Sequence, residues 1–404
     1  MAEALLLKPD RKFVEEVIAA GGGDLRKCFQ CATCSVVCGL SNESSPFPRK
    51  EMIWAQWGLK DRLVSDPDVW LCHRCNDCSL RCPRGARPGD VMAAVRRKAI
   101  EHYAFPRIMG RWVSSVRAAP LLLVLVPALL LAATILAKGP LQGALGLEGA
   151  HETFYAQFFP HWLLISFFTT LTTLTFLGLL VGLIRFWRGM EASDRAAGRG
   201  EPVLGFVPSA VKALTSVFTH DHFGKCTDRT SRKSAHLMTF YGFLALFIVT
   251  VWAVMDLYLM PRLGVRSFYP FNLLHPMKIL ANVGGVILII GVGKAILDRV
   301  QAPLDGNHRS TSFDWIFASL LLLVGITGFV VEVLRFMVSP ESMGALEYGA
   351  YGIYFVHLVL VFGLLVYLPY SKFAHMGYRA VAMIYAEHTG RVGNGRALVQ
   401  VPRG

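Results

Sequence analysis

Acidic residues are scarce in this chain. It has 28 Asp and Glu against 41 Lys and Arg in 404 residues, a formal net charge of +13. Charge of either sign is thin, at 17% where soluble domains carry about 25%. With a hydrophobic fraction of 53%, this argues against one uniform soluble domain. Cysteine is nearly missing beyond residue 82, where Cys226 alone remains and reads as an unligated thiol. Bases are absent from two stretches, Leu141–Phe159 and Val338–Glu347. A cleavable signal is also absent ahead of the cysteines, and the first long apolar run begins only at Ala118. The cysteine-rich part is therefore expected in the cytoplasm, where thiols stay reduced and metal is a better reading than disulfides.

The basic excess is placed for membrane topology, with no nucleic-acid role. Arg107, Arg111 and Arg117 precede the first apolar run, and Arg185, Arg188, Arg195, Arg199, Lys212, Lys225, Arg229, Arg232 and Lys233 follow the second. Bases on one side and none in the opposite loops are the positive-inside signature. A span needs roughly 20 apolar residues, and six stretches qualify, at about 118–138, 161–187, 236–260, 275–297, 313–337 and 348–371. Pro261 and Pro340 mark outer turns and Pro303 an inner one. An even number of spans returns the basic tail to the inside. The predicted order is a soluble domain over 1–117, two spans over 118–187 and a basic cytoplasmic loop over 188–235. A four-helix region over 236–375 and a tail over 376–404 complete it. His220, His222 and Cys226 in the loop match no tetrahedral zinc spacing.

Eight cysteines carry the strongest signal. Cys28, Cys31, Cys34 and Cys38 repeat the spacing of Cys72, Cys75, Cys78 and Cys82, the second run closing on Pro83 and the first on Gly39. Three thiolates so spaced wrap one iron–sulfur cube, and in two-cluster proteins the fourth ligates the other cube. Cluster 1 is thus expected on Cys28, Cys31, Cys34 and Cys82, and cluster 2 on Cys72, Cys75, Cys78 and Cys38. Four thiolates also suit zinc, but two full copies at this spacing favour two [4Fe-4S] clusters. The insert around Arg49–Trp54 has helical composition, so the clusters are expected in a helical domain, with Trp54, Trp57 and Trp70 as core packing.

Ionisable residues inside spans default to function, and histidine is a standard axial ligand of haem. His357 and His375 lie eighteen residues apart. On an unbroken helix that is five whole turns and ~27 Å, enough to put one haem near each membrane surface. Pro369 lies between them and can kink the helix. Partners at matching depth are His236 for His375 at the inner haem and His275 for His357 at the outer haem, with His161 competing for the latter. Gly242, Gly284, Gly285 and Gly291 would let a flat macrocycle approach, although small residues also serve plain helix packing. Lys278, Asp256 and Glu332 are candidates for quinone binding or proton transfer.

The cysteine motifs resemble the small iron–sulfur subunit of heterodisulfide reductase. The region from His236 to His375 is similar to the cytochrome b subunit of respiratory nitrate reductase, with histidines eighteen apart on the last helix. Nitrate reductase places two ligands ten residues apart on one helix; the position ten after His236 here is Leu246, so the outer haem must recruit another helix. The fusion of both parts resembles the membrane subunit of the quinone-interacting membrane-bound oxidoreductase complexes of sulfate-reducing bacteria. The resemblance implies an all-α chain, a helical two-cluster domain followed by a six-helix cytochrome b bundle in the cytoplasmic membrane. It also implies one or two b haems and menaquinol/menaquinone as substrate, the expected direction being menaquinol oxidation, with electrons passing to flavin-containing soluble partner subunits and adenylylsulfate reductase beyond them. Two other readings stay open: quinone reduction by a soluble donor, and a non-catalytic anchor without haem.

Overall fold

The computed structural model describes residues 8–42, 45–115, 117–138, 154–220, 230–269, 271–301, 310–338 and 344–391. His222 and Cys226 lie outside them. Regular structure among the described residues is wholly helical. The cysteine domain holds α1 (Arg11–Ala19), α2 (Thr33–Val36), α3 (Arg49–Gln56), α4 (Lys60–Val64), α5 (Asp68–Leu71), α6 (Asp77–Leu80), α7 (Pro88–Tyr103) and α8 (Arg107–Ser114). Asp10 starts α1 by accepting the Phe13 amide at 3.0 Å, and Pro88 opens α7 where its missing N–H costs nothing.

Six helices are long and apolar enough to cross a membrane. They are α9 (Ala118–Leu136), α11 (His161–Ala196), α13 (Thr230–Val254, extended to Leu259), α14 (Pro276–Gln301), α15 (Ser312–Met337) and a final pair, α16 (Ala345–Tyr367) with α17 (Ala374–His388). Short α10 (Phe154–Phe158) precedes α11, and α12 (Phe206–Thr219) lies between α11 and α13. Among its described residues the expected loop over 188–235 is therefore largely helical, since α11 runs on to Ala196, α12 follows and α13 starts at Thr230.

Local sequence explains several junctions. Pro127 has no N–H for the Leu123 carbonyl, and the preceding turn of α9 widens to a π-turn. Gly363 of α16 packs there; a Cβ at that position would stand 2.2 Å from the Leu123 carbonyl oxygen. Thr311 and Asp314 form a capping box at the start of α15, with the Thr311 amide donating to Asp314 at 2.8 Å. The helix expected to carry both His357 and His375 is broken: a 3-10 turn at Leu368–Tyr370, holding Pro369, and an extended Ser371 separate α16 from α17. The shared face inferred from five whole turns does not survive that break.

The cysteine domain and the bundle share one core. Trp70, Tyr103, Phe186, Met190, Tyr378 and Tyr385 belong to a single buried cluster drawn from α5, α7, α11 and α17. Trp70 is fully buried, as expected of core, whereas Trp57 is 52% exposed and is not core.

Candidate functional site

Both cysteine runs have the same backbone. Gln30 and Ala32 in the first and Arg74 and Asn76 in the second hold positive φ, at 59°, 67°, 55° and 71°. Such angles are uncommon for residues with a side chain and concentrate at functional sites. The curls turn successive thiols inward, and a four-residue helix, α2 or α6, then follows. The amides of Arg74 and Ala86 donate to the sulfurs of Cys72 and Cys82, each at 3.3 Å. Gly89, at the start of α7, allows close approach to the second loop: a Cβ there would stand 2.3 Å from Asn76 Oδ1.

The thiols influence one another in two sets that cross the two runs. Cys28 feels Cys82 and Cys31, and Cys34 feels Cys28, Cys31 and Cys82. Cys38 feels Cys72 and Cys75, and Cys78 feels Cys72, Cys38 and Cys75. Burial first, then these neighbours, push Cys34 up to about 11, while burial takes Cys38 up to about 12. Exposed Cys31 goes the other way, lowered by hydrogen bonds from Thr33. Tetrahedral zinc holds its sulfurs about 3.8 Å apart. Among the described residues, a set of three ligand atoms within 4.8 Å of one another occurs at Glu51, Asp66 and Asp68, not among the thiols. Two thiol sets at this repeated spacing suit iron–sulfur cubes. The acidic set already holds a cation, the Lys50 ammonium, at 3.1, 2.9 and 2.8 Å.

The second cysteine loop is tied to the bundle. Arg379 of α17 donates to the Cys72 carbonyl at 3.3 Å and meets His73 Nδ1 at 2.9 Å. Buried Arg96 donates to the Cys72 carbonyl and, at 2.8 Å, to that of Val69. Arg74 reaches Asp314 of α15 at 3.9 Å, and Lys372 pairs with the same carboxylate. Trp70 stacks on Tyr378 at 5.1 Å and lies 5.6 Å from the ring of His375.

A cavity of about 2330 Å³ runs from that junction through the bundle. Ligand pockets usually occupy roughly 300–1,000 Å³, so it has room for more than one large group. His236, His357, His375, His161 and His220 line it. His220, judged in the sequence only against zinc spacing, has its ring 5.5 Å from that of His236. His275 does not line the cavity; its ring stacks on Phe271 at 4.4 Å and its Nδ1 accepts the Met277 amide at 3.3 Å.

His357 is the best defined of these side chains. Its Nδ1 lies 2.9 Å from Thr327 Oγ1, and that hydroxyl gives its single proton to the Leu323 carbonyl at 2.7 Å. With the hydroxyl proton on that carbonyl, the ring donates from Nδ1 and keeps its lone pair on Nε2, the tautomer a metal-binding imidazole needs. A Cβ on Gly328 would sit 3.0 Å from His357 Cε1, so that glycine admits the ring.

Three of the four glycines read as room for a macrocycle have another use. Cβ atoms at Gly242, Gly284 and Gly291 would each come within 2.7 Å of the facing helix, so they form the seam of α13 and α14. Gly285 is left on the cavity wall. Among the polar candidates, Glu332 lines the cavity and pairs with Lys278 at 2.8 Å. Asp256 is committed to its own loop, its Oδ2 accepting from Ser267 Oγ and the amides of Phe268 and Tyr269 at 2.8, 3.0 and 2.9 Å. No signal in the sequence marked Thr327, Arg379 or His73, because each acts through a tertiary neighbour.

Comparison with known proteins follows the same division. The family model for citrate utilization protein B matches residues 114–395, and that of a 4Fe-4S dicluster domain matches 24–86. The chain is similar to citrate utilization protein B of Escherichia coli, 32% identical over 329 residues, which are 78% of this chain and 80% of that one. It is also similar to one subunit of the H(2):CoB-CoM heterodisulfide,ferredoxin reductase of Methanothermobacter marburgensis, 42% identical over 91 residues, 22% of this chain and 49% of that one. A protein of Archaeoglobus profundus that is itself like a heterodisulfide reductase subunit is 35% identical over 105 residues, 26% of this chain and 56% of that one. The chain therefore spans only about half of these iron–sulfur relatives. No solved structure matches. The dicluster match and the two thiol sets support two iron–sulfur clusters and an electron-transfer role.

Proposed function

The chain belongs to the citrate utilization protein B family, and on that premise we propose that it passes electrons between a soluble oxidoreductase and a membrane quinone, menaquinone in the simplest case. Its carriers are two [4Fe-4S] clusters and b haems, which when bound supply one-electron steps at potentials the protein tunes. The observation that carries the reading is the junction: the Cys72 loop is hydrogen-bonded to α17, which also bears His375 on the wall of the cavity.

The chain's own residues hold and insulate these groups. Cys28, Cys31, Cys34 and Cys82 form one ligand set, and Cys38, Cys72, Cys75 and Cys78 the other. His236 and His375 serve the inner haem. For the outer haem we assign His357, held in the right tautomer by Thr327, with His161 in place of His275, since both line the cavity. Glu332, drawn to Lys278, is the acid on the cavity wall best able to exchange a quinone proton. The cysteine domain lies on the cytoplasmic face, a reading supported by the basic segments around α8 and α12.

We take the direction from the relative covering most of the chain, a citrate utilization protein. Use of an organic acid calls for its oxidation by a soluble partner, so electrons would enter at the clusters that the eight cysteines would hold and leave to quinone. The alternative, quinol oxidation toward flavin-containing heterodisulfide-reductase-like subunits and adenylylsulfate reductase, rests on the fusion's resemblance and on relatives that match 22% of the chain. A reduced-minus-oxidised optical spectrum of the anaerobically purified chain, with iron and haem quantified, tests the reading. Two b haems that reoxidise on adding a menaquinone analogue are expected. No haem would sink the quinone path and leave a membrane-tethered iron–sulfur module.

A further inference from the structure

A second, smaller cavity of about 560 Å³ lies away from the haem-candidate histidines, lined by His102, Tyr103, Phe105, Pro106, Arg107 and Arg185. We propose that it binds the phosphate of an anionic phospholipid, whose acyl chains lie along α11. The inference rests on the membrane reading but not on haem or quinone.

Depth is the first argument. Arg185 is twenty-four residues into α11 from His161, ~36 Å along the axis, and so just beyond ~30 Å of hydrocarbon. The cavity thus falls at the headgroup level on the cysteine-domain side. Charge is the second. Neither Arg107 nor Arg185 has an ion-pair partner among the described residues, in a protein that pairs Arg87, Arg97, Arg195 and Arg199 with carboxylates. Arg185 lies over the Phe105 ring at 5.2 Å and makes one long bond, 3.4 Å, to the Ala104 carbonyl. A guanidinium has five N–H donors in a fork suited to phosphate, so most of its capacity is unspent on protein.

Shape is the third. The segment joining α7 to α8 is pressed onto α11 through Gly178 and Gly182; a Cβ on Gly178 would meet the Phe105 carbonyl at 2.9 Å, and one on Gly182 the Tyr103 carbonyl at 3.4 Å. That contact holds the two arginines on either side of one recess. Around it the surface is apolar and open: Phe105, Ile108 and Trp112 are 46%, 53% and 49% exposed, and Leu177, Leu180 and Ile184 are 53%, 52% and 43% exposed. The last three recur at helical spacing, forming a stripe that ends beside Arg185. Basic recesses between helices at the inner surface are where anionic headgroups bind, and a stripe of this kind accommodates the chains.

Native mass spectrometry of the full-length protein, delipidated and then titrated with phosphatidylglycerol, cardiolipin or phosphatidylcholine, tests this. The double variant Arg107→Gln/Arg185→Gln is expected to lose anionic-lipid affinity about tenfold, with phosphatidylcholine binding unchanged. Arg107→Lys/Arg185→Lys should recover most of it, which separates loss of a site from loss of folding. Arg195→Gln, at the exposed end of α11 and paired with Glu191, should bind as the wild type does. Equal anionic binding in wild type and double Gln variant overturns the proposal, as does an absence of preference over phosphatidylcholine. Displacement of the lipid by millimolar inorganic phosphate would make the ligand free phosphate and overturn the lipid assignment. Iron and haem measured on the same samples report on the redox reading separately.

Discussion

The cysteine domain and the helical bundle gather the side chains proposed as metal ligands by opposite means. In the domain, three thiols of each set proposed for a cluster come from one short run, and the backbone curls at Gln30, Ala32, Arg74 and Asn76 lie within those runs. Only the fourth thiol of each proposed set, Cys82 or Cys38, arrives from elsewhere. In the bundle every histidine proposed for a haem sits on a different helix or helix end, His161 on α11, His236 on α13, His357 on α16 and His375 on α17. A site built within ten residues is written in the sequence; one built across helices depends on packing that no local pattern encodes.

The sharpest way to break the comparison is through the crossing ligands. Cys38→Ser and Cys72→Ser are expected to alter the same cluster, and Cys82→Ser the cluster altered by Cys28→Ser. Each should lower iron from about eight toward about four per chain, with one of two EPR signals lost or shifted. Were Cys38→Ser to perturb the signal that Cys28→Ser perturbs, the sets would be local to each run and the exchange of fourth ligands wrong. The matching pair in the bundle is His357→Ala, expected to remove one haem, against His275→Ala, expected to keep both. Loss of a haem in His275→Ala would restore the pairing by depth.

A smaller effect is expected beside the clusters. Lys50 is nearly buried and answers Glu51, Asp66 and Asp68, while Arg391 reaches Asp68 at 3.4 Å and pairs with Asp194. Removing one member of a buried ionic network leaves uncompensated charge, which typically costs about 3–5 kcal/mol. Lys50→Gln should therefore lower the apparent Tm strongly and loosen the tail segment at Arg391, seen as faster proteolysis there. An unchanged Tm would mean that the carboxylates are already protonated as a group.

The two regions also differ in what their sequence disclosed. The cysteine spacing carried the cluster chemistry because its ligands are consecutive turns of one loop. The six spans were legible from hydropathy and most of their ends moved by only a few residues, but α11 continues into the soluble core through Phe186 and Met190, and the last apolar stretch runs on through α17 to His388. The His357–His375 spacing misled because it presumes an unbroken helix, and Pro369 with extended Ser371 ends that helix. His275 looked right by depth alone, yet depth says nothing of rotation about the axis, and the ring turned to Phe271. Thr327 was invisible, one more threonine in an apolar run until folding set its hydroxyl against His357.

The glycine seam separates packing from ligand room at a lesser cost. Gly242→Ala forces a Cβ to 2.7 Å from the Leu288 amide nitrogen, and overpacking of this kind costs about 1–3 kcal/mol. Gly293→Ala, near the seam with nothing within 4 Å, should be neutral or gain about 0.5–1 kcal/mol from helix propensity. If haem content falls in Gly242→Ala while the Tm holds, the glycine faces a macrocycle and not the neighbouring helix.

The smallest effect concerns Glu51, which is fully buried and whose carboxyl oxygens accept no hydrogen bond among the described residues. Burial pushes its pKa well above the ordinary carboxylate value, more than the nearby Lys50 lowers it. The folded chain then holds this proton more tightly than the unfolded chain. The resulting stability is fully present below the unfolded value of about 4.3 and drains away as pH rises through the folded one. Asp68 has the opposite sign: beside Lys50 and Arg391 its pKa is lowered, so its contribution is present above about 3.9 and lost in acid. Glu51→Gln keeps the shape of the protonated acid and removes its titration. The variant should match the wild type near pH 5 and exceed it by a degree or two in apparent Tm near pH 8, while Asp68→Asn should fall below it at both. Parallel pH profiles for Glu51→Gln and wild type would mean that Lys50 holds Glu51 ionised, making all three carboxylates partners of a single ammonium.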